Sequence, residues 1–140
     1  MHPAGQQLLL VDHDAARRAE LAHILRAEGF EVAAAGEGLA AIRAAGQQRF
    51  AVTVAALGLP GTLDGPATAL QLRARQPGLK TLFIADAQER LHGPVRHSGD
   101  VVPWPCRPSE LVGCAFEMLQ RDLSPAVAAN GTHGRAYRRG

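Results

Sequence analysis

The sequence predicts an α/β domain built on one doubly wound, five-stranded parallel sheet in the order 2-1-3-4-5, and three observations carry that prediction. Short apolar runs of strand length alternate along the chain with segments of helical period, the pattern of parallel β-α-β units. The first run, LLLV, passes straight into DHD, as a buried parallel strand does when its carboxyl end opens onto a site. The 140 residues are enough for one core and too few for two ordinary domains.

Each element follows from local signals. Leu8 to Val11 is the first strand. Asp14 is placed to cap a helix over Ala15 to Glu28, with Leu21, Ile24 and Leu25 on one face and Gly29 as its stop. Glu31 to Ala35 is a weaker second strand, and Leu39 to Ala45 a short Ala-rich helix expected to turn Leu39 and Ile42 inward. Phe50 to Leu57 is the third strand and Pro66 to Gln76 the third helix, ended by Pro77-Gly78. Thr81 to Ala85 is the fourth strand. Val101 and Val102 form a short fifth, followed by a last helix over Ser109 to Asp122 whose Leu111, Ala115, Met118 and Leu119 make a stripe. Between the fourth and fifth strands lies AQERLHGPVRHSG, where Gly93-Pro94 and Ser98-Gly99 predict a fourth helix that is short or absent. Five such units fit the flavodoxin-like order.

Composition narrows the function classes. The longest apolar runs fall far short of the ~20 residues a membrane span needs, and MHPAGQQLLLVDHD has no basic start of a secretory signal. Two cysteines, Cys106 and Cys114, are a poor disulfide framework and lack a second metal-type pair, so ordinary buried thiols in a cytoplasmic protein are expected. Of the 15 basic residues, three lie in the last 17, SPAVAANGTHGRAYRRG, which leaves 12 against 13 acids in the body. The excess is therefore confined to a tail expected to be flexible. The body lacks the basic patch of a nucleic-acid-binding domain, and three Arg (Arg135, Arg138, Arg139) on such a tail give little affinity for nucleic acid or membrane. The expected division is an extension over 1–6, one domain over 7–123, and the tail over 124–140.

Ligands of such sheets bind at the carboxyl ends of the strands, beside strands one and three. Those ends carry Asp12-His13-Asp14, Ala56-Leu57-Gly58, Ala85-Asp86 and Pro103-Trp104-Pro105. With LLLVDHD, AGEGLAAI, VAALGLPGTLDG, LFIADA and VVPWPCRPSEL in this order and spacing, the chain from about Gln7 to Asp122 resembles the CheY-like receiver domain of two-component response regulators. The loop LGLPGTLDG carries the strongest likeness, one residue longer than usual at Thr62-Leu63.

The resemblance implies a phosphoacceptor Asp ending strand three, Mg²⁺ held by acids after strand one, a Thr or Ser ending strand four, and a Lys before Pro after strand five. Carried over residue by residue, only the first acid survives, as Asp12. The second acid is His13, the acceptor Ala56, the hydroxyl Ala85, the Lys Trp104 and the aromatic switch Val101. Alanine has no nucleophilic oxygen, Mg²⁺ asks for oxygen ligands, and without the Thr and Lys the fixed donors for phosphoryl charge are gone. Ala56, Ala85 and Trp104 are expected to turn the acidic pocket into apolar core. Trp104-Pro105 is expected to be cis, as the corresponding receiver bond commonly is.

The expected role is that of a phosphorylation-independent pseudo-receiver in bacterial signalling, with no enzymatic activity and no cofactor. Its partners would be proteins: a histidine kinase, another regulator, or a second copy. The resemblance places the interaction face on Arg90, Leu91, Val101, Val102, Trp104, Cys106 and Glu110. One alternative keeps phosphotransfer through Asp12, Asp14 or Asp86, and another has the Arg-rich tail bind nucleic acid. Asp12 and Asp14 read as a solvated strand-end carboxylate and a helix cap rather than as cation ligands, and a metal reading of Asp-His-Asp with His92 or His97 is disfavoured because consecutive side chains point apart. GEG at Gly36 to Gly38 and GLPG at Gly58 to Gly61 lack phosphate-loop spacing and read as turns.

Overall fold

The computed structural model describes residues 5–86 and 100–121. They form β1 (Gln7–Val11), α1 (Ala15–Ala27), β2 (Glu31–Ala35), α2 (Gly38–Ala45), β3 (Val52–Ala56), α3 (Gly65–Arg75), β4 (Lys80–Asp86), β5 (Asp100–Trp104) and α4 (Pro108–Arg121). The strands make one parallel sheet in the order β2-β1-β3-β4-β5, so the predicted fold and topology hold. The expected short or absent helix between β4 and β5, and the tail, lie outside the described residues. α4 closes the C-terminal edge.

Alternation along the strands divides the core in two. Leu8 and Leu10 of β1, Val52 and Val54 of β3, and Leu82 and Ile84 of β4 face α1 and α4, where Leu21, Leu25, Leu111, Ala115 and Met118 meet them. Leu9, Val11, Ala55, Phe83 and Ala85 face α2 and α3, against Ala41, Ala45, Ala69 and Leu72. Being buried on both faces explains why β1 from Leu8 to Val11 is a continuous apolar run and why β3 is apolar apart from the buried Thr53, and each fully buried Leu of β1 contributes about 1.5–3 kcal/mol over its exposed state. Phe30 and Phe116 stack with centroids 5.3 Å apart, fastening the end of α1 to α4.

Helix ends follow the sequence signals. Asp14 caps α1 by accepting from the Arg17 amide at 3.0 Å, and Gly29 stops it at φ +103. Asp64 caps α3 in the same way, accepting from Ala67, with Pro66 in the first turn. At Gly65 a Cβ would run into the Ala56 carbonyl and the Leu57 backbone, so only glycine lets α3 begin directly against the end of β3. At α4, the Glu110 carboxylate accepts from the Arg107 amide at 3.0 Å, one half of a capping box.

One inward assignment is corrected, and one polar residue proves to be buried. Leu39 is 50% exposed; α2 turns Gly38, Ala41 and Ala45 inward instead, because it lies so close to α3 that a Cβ at Gly38 would collide with the Thr68 hydroxyl. Gln76, expected only to end a helix, is 5% exposed. Its side-chain amide donates to the carbonyls of Ala45 and Gln48, both at 2.9 Å, and its Oε1 accepts from the Phe50 amide. One side chain thus joins the end of α2, the approach to β3 and the end of α3.

Replacing Gln76 with Leu strands two carbonyls and one amide, and is expected to cost about 2–4 kcal/mol in urea unfolding; a loss below about 0.5 kcal/mol would show that the knot contributes little. The Asp14 carboxyl is held below its usual value of 3.8, first by the Arg17 amide hydrogen bond, with the Arg17 charge adding to it. A depressed carboxyl value means that the charged cap stabilises the fold above 3.8 and loses that effect as pH falls through the lower folded value. Asp14→Ala should therefore melt below wild type at pH 7, with the gap closing as pH drops below 3.8. A gap independent of pH would contradict a charged cap.

Candidate functional site

The sheet reverses its direction of growth at β1, so the carboxyl ends of β1 and β3 flank the crevice where doubly wound sheets place their sites. Val11 is in register with Ala55, and Ala56 with Ile84. Asp12, one residue beyond Val11, thus stands abreast of Ala56. On the other side Ala85 pairs with Pro103 and Asp86 with Trp104. The sequence-predicted positions Asp12, Ala56, Ala85 and Trp104 therefore do end neighbouring strands.

Ala56 is 2% exposed and Ala85 is equally buried. Trp104 is half-buried and packs on the α1/α4 side of the core, after which the chain turns through a cis Trp104-Pro105 bond, the isomer the resemblance implied. Val101 is half-buried on the opposite face, and Val102 lies inside the α1/α4 core at 3% exposure. Val102 thus supports the proposed interaction face from beneath and does not present on it. Glu110 is engaged in capping α4. Cys106 and Cys114 are free thiols, both half-buried; burial pushes the Cys106 thiol up, and the Glu110 carboxylate and Cys114 push it further. Arg90, Leu91, His92 and His97 lie outside the described residues.

The largest departure from expectation is Asp12. It is completely buried, not solvated, and its carboxylate is fully engaged. Arg17 Nε donates to Oδ2, while Arg17 Nη2 and the Asp14 amide donate to Oδ1, each at 3.0 Å. Arg18 Nη1 donates to the Asp12 carbonyl at 2.7 Å. The Arg17 side chain is itself only 14% exposed. His13 points outward, its side chain 53% exposed and its Nδ1 4.0 Å from Asp12 Oδ1, beyond hydrogen-bond reach.

Sequence reasoning missed Arg17 and Arg18, although a signal for them existed. Both lie at the third and fourth positions of α1, where the helix dipole disfavours positive charge, and the first turn holds no acid. Two arginines there require a nearby carboxylate or carbonyl, and the end of β1 supplies both.

This donor set does not fit Mg²⁺, which needs near-octahedral oxygen coordination. Both Asp12 oxygens already accept hydrogen bonds from a guanidinium fork, the adjacent imidazole points away, and Ala56 brings no side-chain oxygen. Among the described residues no group of three His, Cys, Asp or Glu is arranged to hold a metal, and no helix is long and apolar enough to cross a membrane.

Comparison with known proteins agrees with this geometry. The response regulator receiver domain model matches residues 8–112. The chain is 33% identical over 117 residues to the transcriptional activator protein PfeR of Pseudomonas aeruginosa, covering 82% of this chain and 38% of that protein. It is 32% identical over 130 residues to the DNA-binding response regulator MtrA of Mycobacterium tuberculosis, covering 90% and 56%. It thus spans about half, or less, of the length of these relatives. A crystal structure of a response regulator receiver protein from Sinorhizobium medicae superposes with a TM-score of 0.72 at 21% identity, covering 83% of this chain and 95% of that one. With its strand order, its crevice between β1 and β3 and a family match over most of its length, the chain belongs to the response regulator receiver domain family.

Proposed function

We propose that this chain is a pseudo-receiver: a receiver domain that acts by protein-protein contact in bacterial two-component signalling without being phosphorylated. The observation that carries the proposal is Ala56. It ends β3 abreast of Asp12, where the family's acceptor carboxylate belongs, and it is 2% exposed with no oxygen to form an acyl phosphate. Ala85 and Trp104, where the resemblance puts a hydroxyl and an ammonium, point the same way. Two of the three alternative acceptors are poorly placed: both Asp12 oxygens are committed to hydrogen bonds in a buried position, and Asp14 caps α1.

The partners proposed are proteins of such a pathway, a histidine kinase or another regulator, or a second copy of the chain. The proposed contact surface is the β5–α4 edge, where Trp104 and Cys106 are half-buried on the same side as the supporting Val102 and Val101 is half-buried on the opposite face of β5. The expectation against nucleic acid rested on charge alone. Two relatives are named as a transcriptional activator and a DNA-binding regulator, so that exclusion forms no part of the proposal.

Intact-mass measurement after incubation with acetyl phosphate and Mg²⁺ tests the reading: no phosphoryl adduct is expected, and a stoichiometric adduct would overturn it. Restoring the acceptor alone should not restore the chemistry. Ala56→Asp places a second carboxylate beside Asp12 in a site with no room for its hydration, at a cost of about 2–5 kcal/mol. A mutant that melts no lower than wild type, or gains an adduct, would mean that the pocket is still poised for phosphotransfer.

A further inference from the structure

We infer that Arg17 is the resident cation of the corner between β1 and α1: its guanidinium holds the place at Asp12 that a receiver gives to a divalent ion, and shuts that ion out. Arg17 meets both oxygens of the carboxylate with two N–H groups, the forked geometry in which Arg binds carboxylates. The Asp14 amide takes a further lone pair of Oδ1, and Arg18 takes the Asp12 carbonyl. The carboxylate and main-chain oxygens of Asp12 are therefore all occupied by donors of this chain, and two guanidinium charges bear on one residue.

A divalent ion arriving there would have to displace the fork, shed water, and sit beside Arg18 with one carboxylate to balance it. Neither His13 nor the neighbouring alanines compensate: His13 points to solvent, and the side chains of Ala56 and Ala85 carry no ligand atom. The backbone fixes the arrangement. Arg17 stands three residues beyond the Asp14 cap, so the hydrogen bond that starts α1 also aims its side chain back at the end of β1. Asp14 is in this respect a positioning residue for the pair. The inference rests on placing the family's metal position at Asp12 and is separate from the absence of an acceptor at position 56, since a receiver without an acceptor can still bind Mg²⁺.

Thermal melts test it, in Mg²⁺ at millimolar concentration against NaCl of equal ionic strength. Wild type should show no Mg²⁺-specific change in Tm beyond about 1 °C, because a ligand that does not bind the folded state cannot stabilise it; a rise of about 3 °C or more would overturn the inference. Arg17→Met should lower Tm by roughly 10 °C by stranding a buried carboxylate, and adding Asp12→Asn should recover at least half of that loss, as coupled partners do. Losses that simply add would mean that the two residues are not a pair. If Arg17→Met does not fold, Mn²⁺ titrated into ¹⁵N-labelled wild type decides: unchanged linewidths for the amides of residues 12–14 support the inference, and selective broadening there defeats it. Since these readouts detect no phosphoryl group, failure here is distinguishable from failure of the pseudo-receiver reading.

Discussion

A buried carboxylate organises the carboxyl end of this sheet. Asp12 follows a strand whose residues from Leu8 to Val11 are all fully buried, so its charge cannot reach water without withdrawing the strand. Removing one partner from such a pair typically costs 3–5 kcal/mol, because the other charge is left desolvated. Arg17, Arg18 and the Asp14 amide supply what water would have supplied. The start of α1, the direction of its first turn and the closure of the crevice all follow from satisfying that one group. Coulomb attraction alone would be weak evidence for stability; the fork geometry and the three hydrogen bonds to the carboxylate make the pair a constraint on shape.

The consequence for function is a change in what the crevice can respond to. In a receiver that works by phosphotransfer, charge arrives from outside, as metal and phosphoryl group, and the fold answers. Here the positive charge is part of the chain, and the neighbouring strand ends carry methyl groups at Ala56 and Ala85. On the reading proposed above, such a corner offers neither vacant coordination nor a nucleophile, and the state of the β5–α4 edge would be set by packing and by whatever docks on it.

Much of this was legible in the sequence, and the failures share a cause. The strands were readable because residues buried on both faces write themselves as unbroken apolar runs, and Asp14 and Gly29 were readable because a cap and a left-handed stop act within one turn. Leu39 was misread because size was taken as the sign of burial, whereas α2 packs so closely on α3 that its inner face is made of Gly38, Ala41 and Ala45. Asp12 is misread for the opposite reason, since a polar residue looks solvated until its partners are known, and the burial of Gln76 goes unforeseen because nothing near it in the sequence marks its partners. The partners of Gln76 are up to 31 positions away, and Arg17 meets Asp12 only once the strand-to-helix turn is built. The identities at the strand ends were legible; the manner in which the one surviving acid is neutralised was not.

The central claim is that this crevice neither holds a divalent ion nor accepts a phosphoryl group. The most direct measurement is a ¹H–¹⁵N correlation spectrum of the labelled chain titrated with Mg²⁺ and beryllofluoride, a mimic of the acyl phosphate that forms on an aspartate. The account predicts that amides of residues 12–18, 56–58 and 85–86 keep their positions throughout the titration. Saturable shifts at those residues, spreading to 101–106, would contradict it, since they would show a pocket that still binds the phosphoryl form and transmits it to the β5–α4 edge.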